Sequence, residues 1–195
     1  MNQYALLIII AYLVGSIPTG LLLSRAAGGV DIRTKGSGNI GATNVYRTMG
    51  RTVGILTLIG DCLKGVLPVV AARAMGCPDQ VIALTGLAAF LGHIFPLFLK
   101  FKGGKGVATA LGVFLSVSPL AVLCSLGIFI AVLIPWRFVS LASVSAAAMM
   151  PVFTALIDGR PSIIAMSLVI AATVIIKHGS NIRRLLNGTE NRFKA

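Results

Sequence analysis

Three segments of this chain combine glycines with neutral hydrogen-bond donors and basic side chains. Residues 35–47 read Lys-Gly-Ser-Gly-Asn-Ile-Gly-Ala-Thr-Asn-Val-Tyr-Arg. Residues 93–106 begin with His-Ile-Phe-Pro and end with Lys-Gly-Gly-Lys-Gly, and residues 177–190 begin with Lys-His-Gly-Ser-Asn and end with Glu. Glycines let backbone N–H groups approach a phosphate closely, hydroxyl and amide groups donate hydrogen bonds, and Lys and Arg supply positive charge. Together the three segments predict a site for an anionic substrate.

The two histidines of the chain lie at the edges of these segments. His178 precedes Asn181 by three residues, so the two side chains share a face if this stretch is helical. A histidine there is a candidate general base, because its charge changes near neutral pH. For both His178 and His93 the alternative is a structural hydrogen-bonding role at a helix end.

Asp61 and Lys64 lie one helical turn apart within a hydrophobic run. We expect them to pair with each other, because pairing spares both charges from lipid. The alternative is that Lys64 is released toward the anion site. Farther along the chain, Ser140 is expected to serve helix packing, and Ser143 is a possible member of the site.

Two motif matches carry no function here. The Gly-x-Gly-x-x-Gly pattern at 36–41 follows no predicted strand, so it does not indicate a dinucleotide-binding fold. The Gly-Lys pair at 104–105 is followed by glycine rather than Ser or Thr, so it is not a P-loop. The three cysteines, Cys62, Cys77 and Cys124, form no Cys-x-x-Cys pair, so we predict neither a metal site nor a disulfide.

The rest of the chain has the composition of membrane helices. Apolar residues make up 56% of the 195-residue chain and charged residues 11%, and the mean hydropathy is +0.94. A soluble domain of this size could not bury so much apolar surface, so a polytopic membrane protein is predicted. The net charge of +12 is then better explained by anionic lipid, membrane orientation or an anionic substrate than by nucleic acid.

Six apolar runs are long enough to cross, or nearly cross, a bilayer. They cover residues 4–23, 53–72, 81–99, 107–134, 138–157 and 162–176. The first has no basic residue ahead of it, so it reads as a retained span, and its Gly-Ser-Ile-Pro-Thr-Gly stretch predicts a kink. The fourth run is interrupted by Ser-Val-Ser-Pro at 116–119.

The basic residues predict the topology. Most of them fall in residues 24–51, 100–106 and 177–194, and the positive-inside rule puts all three stretches on the cytoplasmic face. The tail returns to that face only if the fourth run splits at Pro119 into two helices, at least one of them short. The prediction is therefore an all-α polytopic membrane protein of one domain, 1–195, with seven transmembrane helices, the amino terminus outside and the carboxyl terminus cytoplasmic. Arg137 is expected on the outer side.

At this level of detail the sequence closely resembles the PlsY family of bacterial membrane glycerol-3-phosphate acyltransferases, over essentially its whole length. The resemblance rests on the following motifs: Gly-Ser-Gly-Asn-Ile-Gly-Ala-Thr-Asn at 36–44 with Arg47, Asp-Cys-Leu-Lys-Gly at 61–65, Gly-His-Ile-Phe-Pro at 92–96, Phe-Lys-Gly-Gly-Lys-Gly-Val-Ala-Thr at 101–109, Val-Ser-Leu-Ala-Ser at 139–143, and His178 with Asn-Ile-Arg-Arg-Leu-Leu at 181–186 and Glu190.

The resemblance implies an enzyme of the bacterial inner membrane whose active site faces the cytoplasm. Such enzymes transfer a fatty acyl group from acyl phosphate to the 1-hydroxyl of sn-glycerol 3-phosphate. The products are lysophosphatidic acid and phosphate, in the first acylation step of phospholipid synthesis. The implied partners are membrane lipid and a PlsX-type enzyme that supplies acyl phosphate. No cofactor, metal or nucleic acid is predicted.

The resemblance also assigns residues by position. It puts Ser37, Thr43, Arg47, Lys105, His178 and Asn181 in the polar site, Gly103, Gly104 and Gly106 in a glycerol-phosphate loop, and Glu190 in a structural role. Taken with the residue analysis, the predicted catalytic residues are Ser37, Arg47, His178 and Asn181. The predicted substrate-binding residues are Asn39, Thr43, Asn44, Lys64, His93, Gly103, Gly104, Lys105, Gly106 and Ser143. Asp61 and Glu190 are the predicted structural residues.

Several points stay open at the level of sequence. The proton of the attacking hydroxyl goes either to His178 or to the phosphate of the donor. Ser37 as a covalent acyl carrier ranks below direct transfer, because no partner base is evident from the spacing. The acyl chain is expected between helices, where residues 146–148 or Gly112 leave room. A transporter would use similar loops but predicts inverted repeats, which the sequence lacks, and a scaffold protein leaves the three anion segments unexplained.

Overall fold

The computed structural model describes residues 3–193, so Lys194 of the basic tail lies outside the described residues. Within this range the chain is helical, which confirms the all-α fold class. The helices are α1 (Gln3–Gly15), α2 (Thr19–Gly28), α3 (Ala42–Met49), α4 (Arg51–Ala74), α5 (Asp79–Ile94), α6 (Val107–Val117), α7 (Pro119–Trp136), α8 (Val139–Phe153), α9 (Pro161–Lys177) and α10 (Gly179–Leu186). Short 3₁₀ turns cover Ile32–Thr34 and Leu97–Leu99, and a π turn, Thr154–Asp158, extends α8.

Prolines break two of the apolar runs. Where a kink was expected in the first run, the helix is interrupted between α1 and α2, at Pro18, which has no N–H to continue a helical ladder. The two helices still form one segment, Tyr4–Gly28, that is long and apolar enough to cross a membrane. The break expected at Pro119 is also confirmed: α6 ends at Val117 and Pro119 opens α7, a first-turn position where the missing N–H costs nothing.

The first compact unit, Met1–Ser116, contains α1 to α5 and nearly all of α6. Its helices approach closely because glycines line the contacts. A methyl group at Gly15 would overlap the carbonyl of Ala89, and one at Gly112 would overlap the carbonyl of Cys62. Gly112 therefore serves contact between α4 and α6. The expectation that it leaves room for an acyl chain is wrong, because backbone already fills that space.

The second compact unit, Val117–Ala195, packs α8 between α7 and α9. Arg160 ties the turn before α9 to the start of the unit, since its guanidinium binds both oxygens of Asp158 and donates to the carbonyl of Val117 at 2.8 Å. The division into two compact units does not test the prediction of a single domain, which stays a prediction.

The surface of these helices is that of a membrane protein. Large apolar side chains are exposed along them, for example Leu120, Leu156 and Ile176 at 62%, 78% and 76%. In the described part of the chain, five helical segments are long and apolar enough to cross a membrane, or six if the bent pair α9–α10 counts as one. Helix α6 is apolar but has only 11 residues. Seven spans and the orientation of the termini stay predictions that require α6 to cross.

Arg137 does not lie opposite the tail. The backbone N–H of Phe193 donates to the carbonyl of Arg137 at 2.6 Å, and the guanidinium of Arg192 lies 5.6 Å from the ring centroid of Phe138. The expectation that Arg137 and the tail lie on opposite faces is wrong, because α8 and α9 run out and back between them. If the tail is cytoplasmic, Arg137 is cytoplasmic as well.

Candidate active site

The first glycine loop, residues 36–41, is built around the side chain of Asn44. The Oδ1 atom of Asn44 accepts from the N–H of Ser37 at 2.9 Å, and its Nδ2 donates to the carbonyls of Asn39, Lys35 and Ile32 at 2.8, 3.1 and 3.3 Å. Asn44 is 4% exposed. Its amide therefore holds the backbone of the loop in place, and the contact of Asn44 with substrate stays a prediction.

The glycines of this loop are required by backbone conformation. Gly36 and Gly38 have φ of 56° and 70°, values that side-chain-bearing residues rarely adopt. Asn39 closes the loop, because its Oδ1 accepts from the N–H of Gly41 at 2.8 Å. The result is a turn that leaves the side chain of Ser37 exposed directly before α3.

Helix α3 carries the two other predicted site residues of this segment. Thr43 and Arg47 are one turn apart, so they lie on the same face of the helix, with Thr43 half-buried and Arg47 exposed. Gly41 stands at the amino-terminal cap of α3. Backbone N–H groups at the start of a helix and a guanidinium one turn later are a suitable arrangement for an anion.

Three charged side chains surround the turn that leads into this loop. Asp31 binds Arg33 through both carboxylate oxygens, at 2.9 and 2.6 Å, and Arg25 at 3.0 Å. The hydrogen bonds from Arg33 hold the pKa of Asp31 well below its ordinary value, against a smaller opposing effect of burial, and the same pairing raises the pKa of Arg33. From the sequence these arginines were interpreted only as topology signals. In the structure they also stabilise the turn, because both bind Asp31.

The second glycine loop, residues 103–106, packs directly on the carboxyl end of α5. The N–H of Gly104 donates to the carbonyl of His93 at 3.2 Å. A methyl group at Gly103 would overlap that carbonyl, and a methyl group at Gly104 would overlap Nε2 of the His93 imidazole. Gly106 has φ of 80° and stands immediately before α6, with Lys105 half-buried beside it.

Beneath this loop, Asp61 and Lys64 pair as the sequence predicted. The ammonium of Lys64 lies 2.8 Å from Oδ1 of Asp61 and donates to the carbonyl of Ile17 at 2.9 Å. Nδ1 of His93 lies 3.6 Å from the same carboxylate oxygen. All three side chains are at most 5% exposed, so Lys64 and His93 contact interior groups in this structure. Their role in binding substrate stays a prediction.

In the second unit, His178 stands at the 54° bend between α9 and α10. Its Nδ1 lies 2.8 Å from the carbonyl oxygen of Val174. Because a carbonyl oxygen only accepts hydrogen bonds, Nδ1 must carry the proton, and the lone pair of the neutral ring is on Nε2. This is the tautomer that a general base needs.

Asn181 lies one turn beyond His178 and is held by Glu190. Oε1 of Glu190 accepts from Nδ2 of Asn181 and from the hydroxyl of Ser140, both at 2.7 Å, and Oε2 accepts from Nε of Arg184 at 2.7 Å. Burial alone would raise the pKa of Glu190, but the hydrogen bonds from Asn181, Ser140 and Arg184 outweigh it and lower that pKa. The contacts agree with a structural role for Glu190.

Two members of this cluster were not predicted from the sequence. Ser140 was assigned to helix packing and Arg184 was counted only as a basic tail residue, yet both bind Glu190. Their spacing along the chain gives no signal for such a contact. The signal would be a buried acid that needs hydrogen-bond donors. Ser143 lies one turn after Ser140 on α8 and is buried, 5% exposed.

The comparisons with known proteins agree with this architecture. The sequence model of the glycerol-3-phosphate acyltransferase family matches residues 5–188. The chain is 64% identical to the glycerol-3-phosphate acyltransferase of Geotalea daltonii and 65% identical to that of Geobacter sulfurreducens, over 100% of each chain.

Two crystal structures of PlsY, an integral membrane glycerol 3-phosphate acyltransferase, are similar in fold. The glycerol 3-phosphate form has a TM-score of 0.94 and the lysophosphatidic acid form one of 0.91. Each is 43% identical to this chain and the alignment covers 99% of this chain and 96% of the other. The predicted resemblance is confirmed, and the chain belongs to the family of integral membrane glycerol-3-phosphate acyltransferases.

Proposed function

We propose that this enzyme transfers a fatty acyl group from acyl phosphate to the 1-hydroxyl of sn-glycerol 3-phosphate. The hydroxyl oxygen forms an ester bond with the acyl carbon, the bond between that carbon and the phosphate oxygen breaks, and phosphate leaves with the bonding electrons. The products are lysophosphatidic acid and phosphate. The observation that carries the proposal is the pair of glycine loops in the first unit, each directly before a helix and each accompanied by a basic side chain.

Acyl phosphate suits this site because it is a mixed anhydride with a good leaving group. Such a donor needs little acid catalysis, and the main tasks are alignment and neutralisation of two phosphate-bearing molecules. Arg47 and Lys105 supply the positive charge, and the backbone of the second glycine loop binds the phosphate of glycerol 3-phosphate, with Thr43 as a further donor. The hydroxyl of Ser37 donates to the developing oxyanion.

His178 accepts the proton of the attacking hydroxyl through Nε2. Its hydrogen bond to Val174 supports this assignment, because it keeps the proton on Nδ1. The proton then passes to the departing phosphate, which regenerates the neutral ring. Asn181, oriented by Glu190, is proposed as a hydrogen-bond donor to the oxyanion. Ser143, near Ser140 on α8, is proposed as a further contact to substrate.

We further propose that the reaction takes place at the cytoplasmic face of a bacterial inner membrane, where most of the basic residues are predicted to lie. A PlsX-type enzyme supplies the acyl phosphate there. The donor is already amphiphilic, so it reaches the site along the membrane, and no cofactor takes part in this proposal.

Phosphate release by the purified protein tests the reaction. The enzyme in detergent is given glycerol 3-phosphate with acyl phosphate, acyl-CoA or acylated carrier protein, and phosphate and lysophosphatidic acid are measured. We expect both products with acyl phosphate, in equal amounts, and no lysophosphatidic acid with the other two donors. Equal or faster acylation from acyl-CoA would overturn the proposed donor.

Matched arginine variants test the charge assignment. Arg47→Ala removes the guanidinium on α3, and we expect kcat/KM to fall by about 10²–10³-fold. Arg51→Ala, also exposed but at the start of α4, serves as the control and should stay within about twofold of the wild type. Equal losses in both variants would mean that only general positive charge matters.

The base is tested by removing the imidazole. We expect His178→Ala to lower kcat by about 10²–10⁴-fold and to remove the acid limb of the pH–rate profile, since the lost group is the one whose protonation blocks the wild-type enzyme. A variant with near-normal kcat would instead assign proton acceptance to the phosphate of the donor.

A further inference from the structure

Helices α4 and α5 bury a charged cluster that no step of the proposed reaction uses. Asp61, Lys64 and His93 are 2%, 5% and 3% exposed, and all three lie in segments long enough to span a membrane. Removing charges from water usually costs more than their mutual attraction returns, so a buried pair adds little stability of its own. Ionisable groups in such segments are therefore candidates for function.

The cluster is connected to the second glycine loop through His93. One edge of the imidazole, at Nδ1, faces Oδ1 of Asp61 at 3.6 Å, and Lys64 holds the same oxygen at 2.8 Å. The opposite edge, at Nε2, lies against Gly104 so closely that a methyl group there would overlap it. Gly104 has no positive φ, so this contact, and not backbone conformation, is what requires glycine.

The backbone of α5 reinforces the same contact. The carbonyl of His93 accepts from the N–H of Gly104 at 3.2 Å, and it also faces Gly103. On the far side of the cluster, Lys64 donates to the carbonyl of Ile17, at the break between α1 and α2. A continuous set of contacts thus runs from that break, through Lys64, Asp61 and His93, to the loop.

We infer that Asp61 and Lys64 fix the orientation of His93, and that His93 in turn sets the position of the second glycine loop for glycerol 3-phosphate. His93 is then a positioning residue, not a ligand of substrate. The inference rests on the proposed function in one respect: the loop must bind the phosphate of glycerol 3-phosphate.

Asparagine and glutamine variants separate the two edges of the imidazole. The amide of Asn overlaps the Nδ1 position and that of Gln reaches the Nε2 position. We expect Asp61→Asn and His93→Asn to raise KM for glycerol 3-phosphate by about tenfold or more, with KM for acyl phosphate unchanged and kcat within about threefold. His93→Gln should restore most of the lost affinity.

Two threonines provide matched controls for the loss of a buried polar group. Thr57 on α4 and Thr85 on α5 are fully buried and donate only to carbonyls of their own helices, those of Val53 and Val81. We expect Thr57→Val and Thr85→Val to leave KM for glycerol 3-phosphate unchanged. If they raise it as much as Asp61→Asn does, the cluster contributes only to general packing and the inference is wrong.

Hydrogen exchange of the loop tests positioning without turnover. We expect amides of residues 103–106 to exchange at least about tenfold faster in Asp61→Asn and His93→Asn than in the wild type or the threonine controls. Unchanged exchange in both variants overturns the inference. Faster exchange in a protein that releases no phosphate would support positioning while the proposed reaction fails. Faster exchange with an unchanged KM would show that the loop does not bind glycerol 3-phosphate and would overturn the functional part.

Discussion

The two glycine loops of the first unit look alike in sequence but are held in different ways. The first glycine loop is held by the amide of Asn44, in the first turn of α3, which hydrogen-bonds four backbone groups of the loop and of the turn before it. The second glycine loop is held by another helix, through the side chain and the carbonyl of His93 on α5. In the first loop, Gly38 is needed for its positive φ, and Gly36 is needed both for its positive φ and for room beside Oδ1 of Asn44. In the second loop, Gly104 is needed only for close approach to an imidazole.

This difference teaches that a glycine-rich anion motif does not by itself say what the glycines do. The backbone shape of the first loop depends on local hydrogen bonds, since a single nearby side chain, that of Asn44, binds the polar groups of the backbone. In the second loop the shape depends on a buried charge cluster on two other helices. The two loops should therefore respond differently to the same kinds of substitution.

The largest effect is expected at Asn44. Asn44→Ala leaves the N–H of Ser37 and three carbonyls without their partner, and each buried unsatisfied group costs about 1–3 kcal/mol. We expect thermal unfolding in detergent at a clearly lower temperature and a loss of at least about 100-fold in phosphate release. Asn39→Ala, which loses only the bond to Gly41, is the graded control and should be milder in both assays. Equal effects would mean that Asn44 does not organise the loop.

The next effect is expected at Gly104. Gly104→Ala introduces a methyl group against Nε2 of His93, so the loop must move and KM for glycerol 3-phosphate should rise by about tenfold or more. The double variant Gly104→Ala/His93→Ala removes the imidazole that the methyl group meets. Its KM should therefore be lower than the two single effects combined predict, and simple additivity would contradict the contact.

A third effect contrasts with both loops, because in the second unit a carboxylate holds the site residue. The pKa of Glu190 in the folded enzyme is lowered from an ordinary value of 4.5, so its stabilising contribution is complete above that value and is lost as pH falls through the lower folded pKa. We expect the unfolding temperature of the wild type to fall below about pH 4.5 more steeply than that of Glu190→Gln. Parallel curves for the two proteins would exclude this role.

The smallest effect is expected at Gly38, where only backbone conformation requires glycine. An added methyl group would lie 3.1 Å from the carbonyl of Arg33, a tight but tolerable contact, at φ of 70°. Gly38→Ala should cost about 1–2 kcal/mol, and Gly38→Asn less, because Asn adopts the left-handed conformation more readily. Gly104→Asn should gain nothing over Gly104→Ala. If Asn were better tolerated than Ala at position 104 but not at position 38, the proposed difference between the two loops would be wrong.

Sequence predicted those features that depend on local chemistry. Proline at 119 predicted the break between α6 and α7, and the spacing of Asp61 and Lys64 predicted their ion pair. Both follow from backbone geometry over one or two turns. The motifs also identified the family, because they extend over the whole chain.

Features that depend on packing between helices could not be predicted in this way. His93 faces Asp61 only because α5 packs on α4, and spacing along the chain carries no trace of that contact. The contact of Ser140 on α8 with Glu190, 50 residues farther along the chain, arises similarly. Arg137 was wrongly predicted on the face opposite the tail, because an isolated basic residue does not show which neighbouring helix returns to it.

Calorimetric titration with glycerol 3-phosphate measures directly whether the second glycine loop binds this substrate. Three proteins are compared: the wild type, Gly104→Ala, and Gly127→Ala, whose added methyl group on α7 meets nothing within 4 Å. We expect equal Kd values for the wild type and Gly127→Ala, and binding weakened about tenfold or more in Gly104→Ala. A Gly104→Ala variant that binds glycerol 3-phosphate as tightly as the wild type would contradict this role of the loop.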